Sequence, residues 1–267
     1  MRVLVLGSDG MIGRPLVNYL REREHNVTEF DNYSNPVTDL RIPGVLDYVL
    51  KDIDFVFFLA FDVGGSIYLK KNQDKYEFIS NNIKIMNNTF DSLRKHGTPF
   101  IFSSSQMSGM NQSTYGVLKR IGEQYTNCLN GKTLKFWNVY GYERNGVKSH
   151  VINDFISMAA NGRIDMKTTG EESRQFLYVE DCSMCLSAVM WLFHKIKEKQ
   201  LDVTSFEWVK IIDVAGIISR LFNNCPIHPG SEVDDLQRNE LKEPGREILK
   251  YWKPETSLKD GIERIAG

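Results

Sequence analysis

The feature that most constrains the fold is a glycine-rich turn, Gly7-Ser8-Asp9-Gly10-Met11-Ile12-Gly13, set between the apolar run Val3-Leu6 and a helical pattern from Met11 to about Arg23. Strand, glycine turn and helix in that order open a βαβ unit, whose last glycine permits close packing of helix on sheet. The alternation continues. Asn26-Phe30, Phe55-Leu59, Phe100-Ser103 and Leu134-Trp137 read as short strands, with helical patterns around Tyr76-Lys95 and Thr114-Leu129. Such a pattern predicts an α/β fold: a Rossmann-type doubly wound parallel sheet with a smaller C-terminal substrate-binding lobe. Further helices are expected near Val151-Ala160, Val179-Lys195 and Ile211-Phe222, with Pro and Gly concentrated around Pro226-Gly230 and Pro244-Gly245. There is no repeat and no clean linker. The expected division is a dinucleotide-binding domain over residues 1–140, joined by segments around 171–200 that pack back on it, and a lobe built mainly from 141–267.

Composition narrows the function classes. A chain of 267 residues with 42% hydrophobic residues can bury a sizeable core. Its 33 basic and 34 acidic residues are interspersed, so there is no electrostatic footprint for nucleic acid or an anionic membrane. No stretch approaches the ~18 apolar residues of a membrane span, and Val3-Leu6 is too short for a signal-peptide core, which leads to an expectation of a cytoplasmic protein. The four cysteines are too few for a disulfide scaffold. Cys182-x-x-Cys185 lies in an apolar helical pattern without a second ligand pair, and a core role is favoured over metal binding.

Chemistry enters at the glycine turn, where backbone N–H groups and a helix N-terminus suit a pyrophosphate. Alone, the pattern is equally a tight turn. Asp31, at the end of the second strand, adds the carboxylate that a dinucleotide ribose needs and would repel a 2′-phosphate, which favours NAD over NADP. Arg14 and Arg41 leave NADP open. The second element is Tyr115-Gly-Val-Leu-Lys119, ten residues after Ser103-Ser104-Ser105. With 11 Tyr and 19 Lys, chance alone supplies about one such spacing, so context must carry it. Residues four apart share a helical face, so Lys119 is expected beside the Tyr115 phenol, lowering its pKa toward a usable base, while Ser105 orients the same substrate oxygen.

These residues resemble the extended short-chain dehydrogenase/reductases that act on nucleotide sugars. The similarity runs almost end to end: the glycine turn, Phe100-Ile-Phe-Ser-Ser-Ser105, Tyr115 with Lys119, Phe136-Trp-Asn-Val-Tyr-Gly141, Arg174-Gln-Phe-Leu-Tyr-Val-Glu-Asp181 and Trp252-Lys-Pro-Glu-Thr-Ser-Leu-Lys-Asp-Gly261. The resemblance implies an NAD(P)-dependent enzyme with Ser105, Tyr115 and Lys119 as its catalytic set. It implies cofactor contacts from Gly7, Gly10, Met11, Ile12, Gly13, Asp31, Asp39, Leu40, Tyr115 and Lys119. Asn138 and Arg174 match residues that hold the nucleotide sugar, although either could be a structural polar residue. Asn82 matches an asparagine near the active site or is a solvated helix-face residue. Homodimers through the helices 76–95 and 114–129 are also implied.

Departures from the family pattern sharpen the reading. Glu243-Pro244-Gly245-Arg246 puts an acid where a second diphosphate-binding arginine often stands, leaving Arg246 as its substitute. No Asp-Glu pair follows Ser105, which argues against dehydration, and the segment between Ser105 and Tyr115 is short. Ser149-His150-Val151-Ile152 resembles GDP-fucose synthases and GDP-mannose epimerases, in which His150 matches an acid/base histidine, but Gln106 and Met107 occupy the position of its partner cysteine. His150 reads equally as a cap on the following helix. Three functions follow: an NAD-dependent nucleotide-sugar epimerase working through a transient keto-sugar, an NAD(P)H-dependent ketosugar reductase, or a non-catalytic dinucleotide-binding regulator.

Overall fold

The structure, a computed structural model, describes residues 1–144, 146–234 and 243–267. Six strands form one parallel sheet: β1 (Arg2–Leu6), β2 (Asn26–Phe30), β3 (Phe55–Phe58), β4 (Phe100–Ser105), β5 (Gly131–Phe136) and β6 (Gln200–Val203). The spatial order is β6-β5-β4-β3-β1-β2. The order reverses between β1 and β3, the point at which doubly wound sheets open a ligand crevice beyond their strand ends.

Alternation along the strands builds two cores. Val3, Val5, Phe55 and Phe57 face one side with Leu16, Val17 and Leu20 of helix α1 (Gly13–Arg21). Leu4, Leu6, Val56, Phe58, Phe100 and Phe102 face the other. There they meet Phe78, Met86, Phe90 and Leu93 of α3 (Tyr76–His96) and Leu118 of α4 (Thr114–Cys128). Strands buried on both faces read as continuous apolar runs, as β1 and β3 do. The short helix α2 (Ser66–Asn72) follows β3, a piece the sequence pattern did not show.

Helices α5 (Val151–Ala160), α6 (Val179–Trp191), α7 (Ile211–Leu221) and α8 (Leu258–Ala266) complete the chain. Cys182 and Cys185 are fully buried on α6 in the same cluster as α1, and burial pushes both thiols well up. Asp181, also buried, accepts from the backbone N–H groups of Glu255 and Thr256 and from the Thr256 hydroxyl, fixing the segment before α8. Among the described residues no helix is long and apolar enough to cross a membrane.

Candidate active site

A cleft of about 810 Å³ opens at the carboxyl ends of the strands. One end is the glycine turn. Gly7 has φ +87°, and a Cβ at Gly13 would lie 2.0 Å from the Gly7 carbonyl oxygen, so the turn closes only with glycine at these places. Met11 and Ile12 line the cleft, and their amide N–H groups have no protein acceptor among the described residues. Asp31 closes the same end: its Oδ2 accepts from the Asp9 N–H (3.1 Å) and its Oδ1 from the Tyr33 N–H (2.9 Å). Free amides at a helix start beside a carboxylate at the end of β2 fit the pyrophosphate and ribose of a dinucleotide.

Asp39 and the buried Leu40 line the cleft next to Asp31. The Arg41 guanidinium grips Asp39 and holds its carboxyl below the usual range. It also donates to the Asn81 side-chain oxygen at 3.2 Å. Arg14 donates to the carbonyls of Asp9 and Tyr142.

Ser105, Tyr115 and Lys119 stand together further along the cleft. The end of β4 carries the serine. Helix α4 carries the other two, started by Ser113, whose hydroxyl caps the Gly116 N–H at 3.1 Å. Gly116 is needed because a Cβ there would meet the Met107 carbonyl oxygen at 2.0 Å, so the turn after Ser105 rests directly on the helix start. Gln73, just beyond α2, accepts from both the Ser113 hydroxyl and the Tyr115 N–H. The Phe61 ring meets Tyr115 edge-on at 5.7 Å and lies 3.8 Å from the Lys119 ammonium.

The electrostatics correct one expectation. Burial pushes the Tyr115 phenol up, and the Ser105 hydrogen bond only partly offsets it. The Lys119 ammonium lies 5.8 Å from the centre of the Tyr115 ring and donates to the Ser103 carbonyl at 2.7 Å. Burial brings Lys119 down to about 7, against the attraction of Glu123. Tyr115 is therefore a protonated phenol in this state.

Asn138, Glu143, Lys148 and His150 also line the cleft. His150 occupies the position before α5, yet its side chain does not cap that helix. Both its backbone N–H and ring Nδ1 engage the two Glu143 oxygens, at 2.8 and 2.5 Å, with Glu143 9% exposed and His150 36%. The Asp62 Oδ1 accepts from Lys148 (2.8 Å) and from the Tyr68 hydroxyl (2.7 Å). Asn82 is fully buried, not a solvated helix-face residue, and its amide bonds both the N–H and carbonyl of Asp62, fixing the loop after β3.

Two expected substrate residues do not line this cleft. Arg174 is buried and ion-paired with Asp234. Arg246 is exposed, its guanidinium 5.7 Å from the Phe206 ring. Sequence reasoning missed Glu143, Asp62, Gln73 and Glu123. Their partners lie across loops, and only Glu123, four residues beyond Lys119 on one helix, had a periodic signal.

Residues 3–201 match the model of the NAD dependent epimerase/dehydratase family. An uncharacterized UDP-glucose epimerase of Bacillus subtilis is 22% identical, the match covering 98% of this chain and 96% of the relative. A putative UDP-glucose 4-epimerase of Methanocaldococcus jannaschii is 25% identical over the same shares. Among solved structures, the Methanobrevibacter ruminantium UDP-N-acetylglucosamine 4-epimerase superposes with a TM-score of 0.83 at 22% identity, covering 99% of this chain and 96% of its own. The Thermus thermophilus UDP-glucose 4-epimerase complexed with NAD gives 0.80 at 20% identity, covering 100% and 98%. A glycine turn and Asp31 at one end of the cleft, Ser105, Tyr115 and Lys119 at its centre, and the family match across three quarters of the chain lead to one conclusion: this protein belongs to the NAD dependent epimerase/dehydratase family, the extended short-chain dehydrogenase/reductase enzymes that use NAD.

Proposed function

We propose that the protein is an NAD-dependent nucleotide-sugar epimerase acting through a transient keto-sugar. The observation that carries this reading is that Ser105, Tyr115 and Lys119 line the same cleft as the glycine turn and Asp31. Gly7, Gly10, Met11, Ile12, Gly13, Asp31, Asp39 and Leu40 would hold NAD, which supplies a hydride acceptor that can return what it takes. Tyr115 Oη, in its phenolate form, takes the proton of a sugar hydroxyl and gives it back. Ser105 Oγ bonds the same oxygen and fixes its direction. Lys119 supplies positive charge beneath the phenol from its place on the Ser103 carbonyl. Asn138, with Lys148 and His150, lines the end where the sugar nucleotide would lie.

A ketosugar reductase is the second reading, favoured by one observation: the buried Met107 lines the cleft where a proton-exchanging cysteine would be needed. Cofactor use separates the two, since an epimerase turns over without net consumption of NADH. The test is incubation with UDP-glucose or UDP-N-acetylglucosamine and catalytic NAD, with products followed by NMR. Tyr115→Phe should lower turnover by about 10²–10⁴-fold. Unchanged turnover in that variant refutes the assignment.

The same proposal includes residues 1–140, with α6 and β6 added, as the cofactor-binding unit, and a cytoplasmic location. It also includes a homodimer through α3 and α4, on which Ile83, Ile121 and Tyr125 are about 40% exposed. Light scattering showing a monomer at high concentration removes the dimer.

A further inference from the structure

The three serines at the end of β4 meet three residues of α4 spaced four apart. Tyr115, Lys119 and Glu123 lie on one face of the helix. Ser105 acts on the Tyr115 phenol, lowering its pKa against burial, the Ser103 carbonyl accepts from Lys119, and the Ser104 hydroxyl donates to Glu123 Oε1 at 2.5 Å. Lys135 stands in register beside Ser104 on β5, and its ammonium reaches Glu123 Oε2 at 3.2 Å. Glu123 is 3% exposed. A carboxylate so buried is costly unless both oxygens are matched, as they are here.

We propose that Glu123 is a positioning residue of the active site: the buried counter-charge, held by Ser104 and Lys135, that keeps Lys119 charged and seated on β4. This rests on the reading of Lys119 as part of the proton-transfer set. Among the described residues, the titratable groups around Lys119 are Tyr115 and Glu123 from α4, with Lys135 from β5 acting through Glu123. The other neighbours are the rings of Phe61 and Phe102, at 3.8 and 5.1 Å, and the Ser103 carbonyl. Rings and a carbonyl favour the cation, but neither supplies a full opposing charge. Burial alone would leave the lysine neutral near neutrality, and Glu123 is the group that works against it.

A purely structural role for Glu123 and an electrostatic one differ in sign. Glu123→Gln keeps an acceptor for Ser104 but removes the charge, so the Lys119 midpoint should fall from about 7 by roughly one to two pH units. Lys135→Met removes the competing cation, so the midpoint should rise. The measurement is NMR titration of the protein carrying ¹³Cε-lysine, with the Lys119 signal assigned through Lys119→Met and folding checked by circular dichroism. Opposite shifts in the two variants support the proposal. Unchanged midpoints, or shifts in the same direction, overturn it. If Glu123→Gln fails to fold, Lys135→Met decides alone: a rise supports the proposal, and no change or a fall overturns it. The readout needs no substrate, so its failure leaves the epimerase reading standing, and loss of the epimerase reading leaves the titration standing.

Discussion

Replacing Lys119 by Met should make the protein more stable, and the gain should depend on pH. Lys119 is 3% exposed, and its ammonium drops from the ordinary 10.5 to about 7 chiefly through burial. Between those values the unfolded chain binds a proton that the folded chain does not, so wild-type stability rises with pH across this window. Below about 7 the lysine is charged in both states and the full cost is present. At about 1.36 kcal/mol per pH unit that cost is about 5 kcal/mol. Methionine removes it but leaves the Ser103 carbonyl without the ammonium, which returns about 1–3 kcal/mol. Lys119→Met should therefore be more stable than wild type by about 2–4 kcal/mol at pH 6, and this advantage should shrink by about 2–3 kcal/mol at pH 9. Urea unfolding of both proteins at the two pH values measures it. A difference that does not change with pH, or a wild type more stable at pH 6, refutes the reasoning.

Gly13→Ala places a Cβ 2.0 Å from the Gly7 carbonyl oxygen, and backbone cannot give way there. NADH affinity, read by fluorescence titration, should fall at least about tenfold, and the melting temperature should fall with it. Asp31→Asn removes the charge that opposes a 2′-phosphate, so the ratio of NADPH to NADH affinity should rise by about tenfold; an unchanged ratio places the ribose elsewhere. Asp181→Ala strips the acceptor from two backbone N–H groups and a hydroxyl. It should cost about 2–4 kcal/mol in urea unfolding, with the cleft chemistry retained in the folded fraction.

The parts of the fold legible in the sequence are those whose burial is written in consecutive residues. Phe55–Phe58 is apolar on both faces and reads as a central strand, and Val151–Ala160 reads to the residue. The sixth strand, Gln200–Val203, was not legible, because it lies at the sheet edge and alternates polar with apolar. Helix α8 was hidden by its mixed composition, although Ser257 caps it with a bond to the Asp260 N–H. At the site, Ser105, Tyr115 and Lys119 were legible since one strand end and one helix turn bring them together. The charge state of Tyr115 was not, for it depends on burial, which a four-residue spacing does not encode. The grip of Glu143 on His150 depends on the path of a loop, and the pairing of Arg174 with Asp234 on a contact 60 residues away along the chain.

The clamp at Asp181 also orders the protein's own making. The glycine turn, the helix that carries Tyr115 and Lys119 and all six sheet strands leave the ribosome before Glu255 and Thr256 do. Until then the Asp181 carboxylate at the start of α6 lacks the two backbone N–H groups and the hydroxyl that hold it in the finished fold. A nascent chain that stalls between residues 203 and 255 has its whole sheet and both Tyr115 and Lys119 but an unfinished seam between helix and tail. Such a chain is a natural target for chaperones and proteases, so premature termination should be registered as instability before it is registered as lost catalysis.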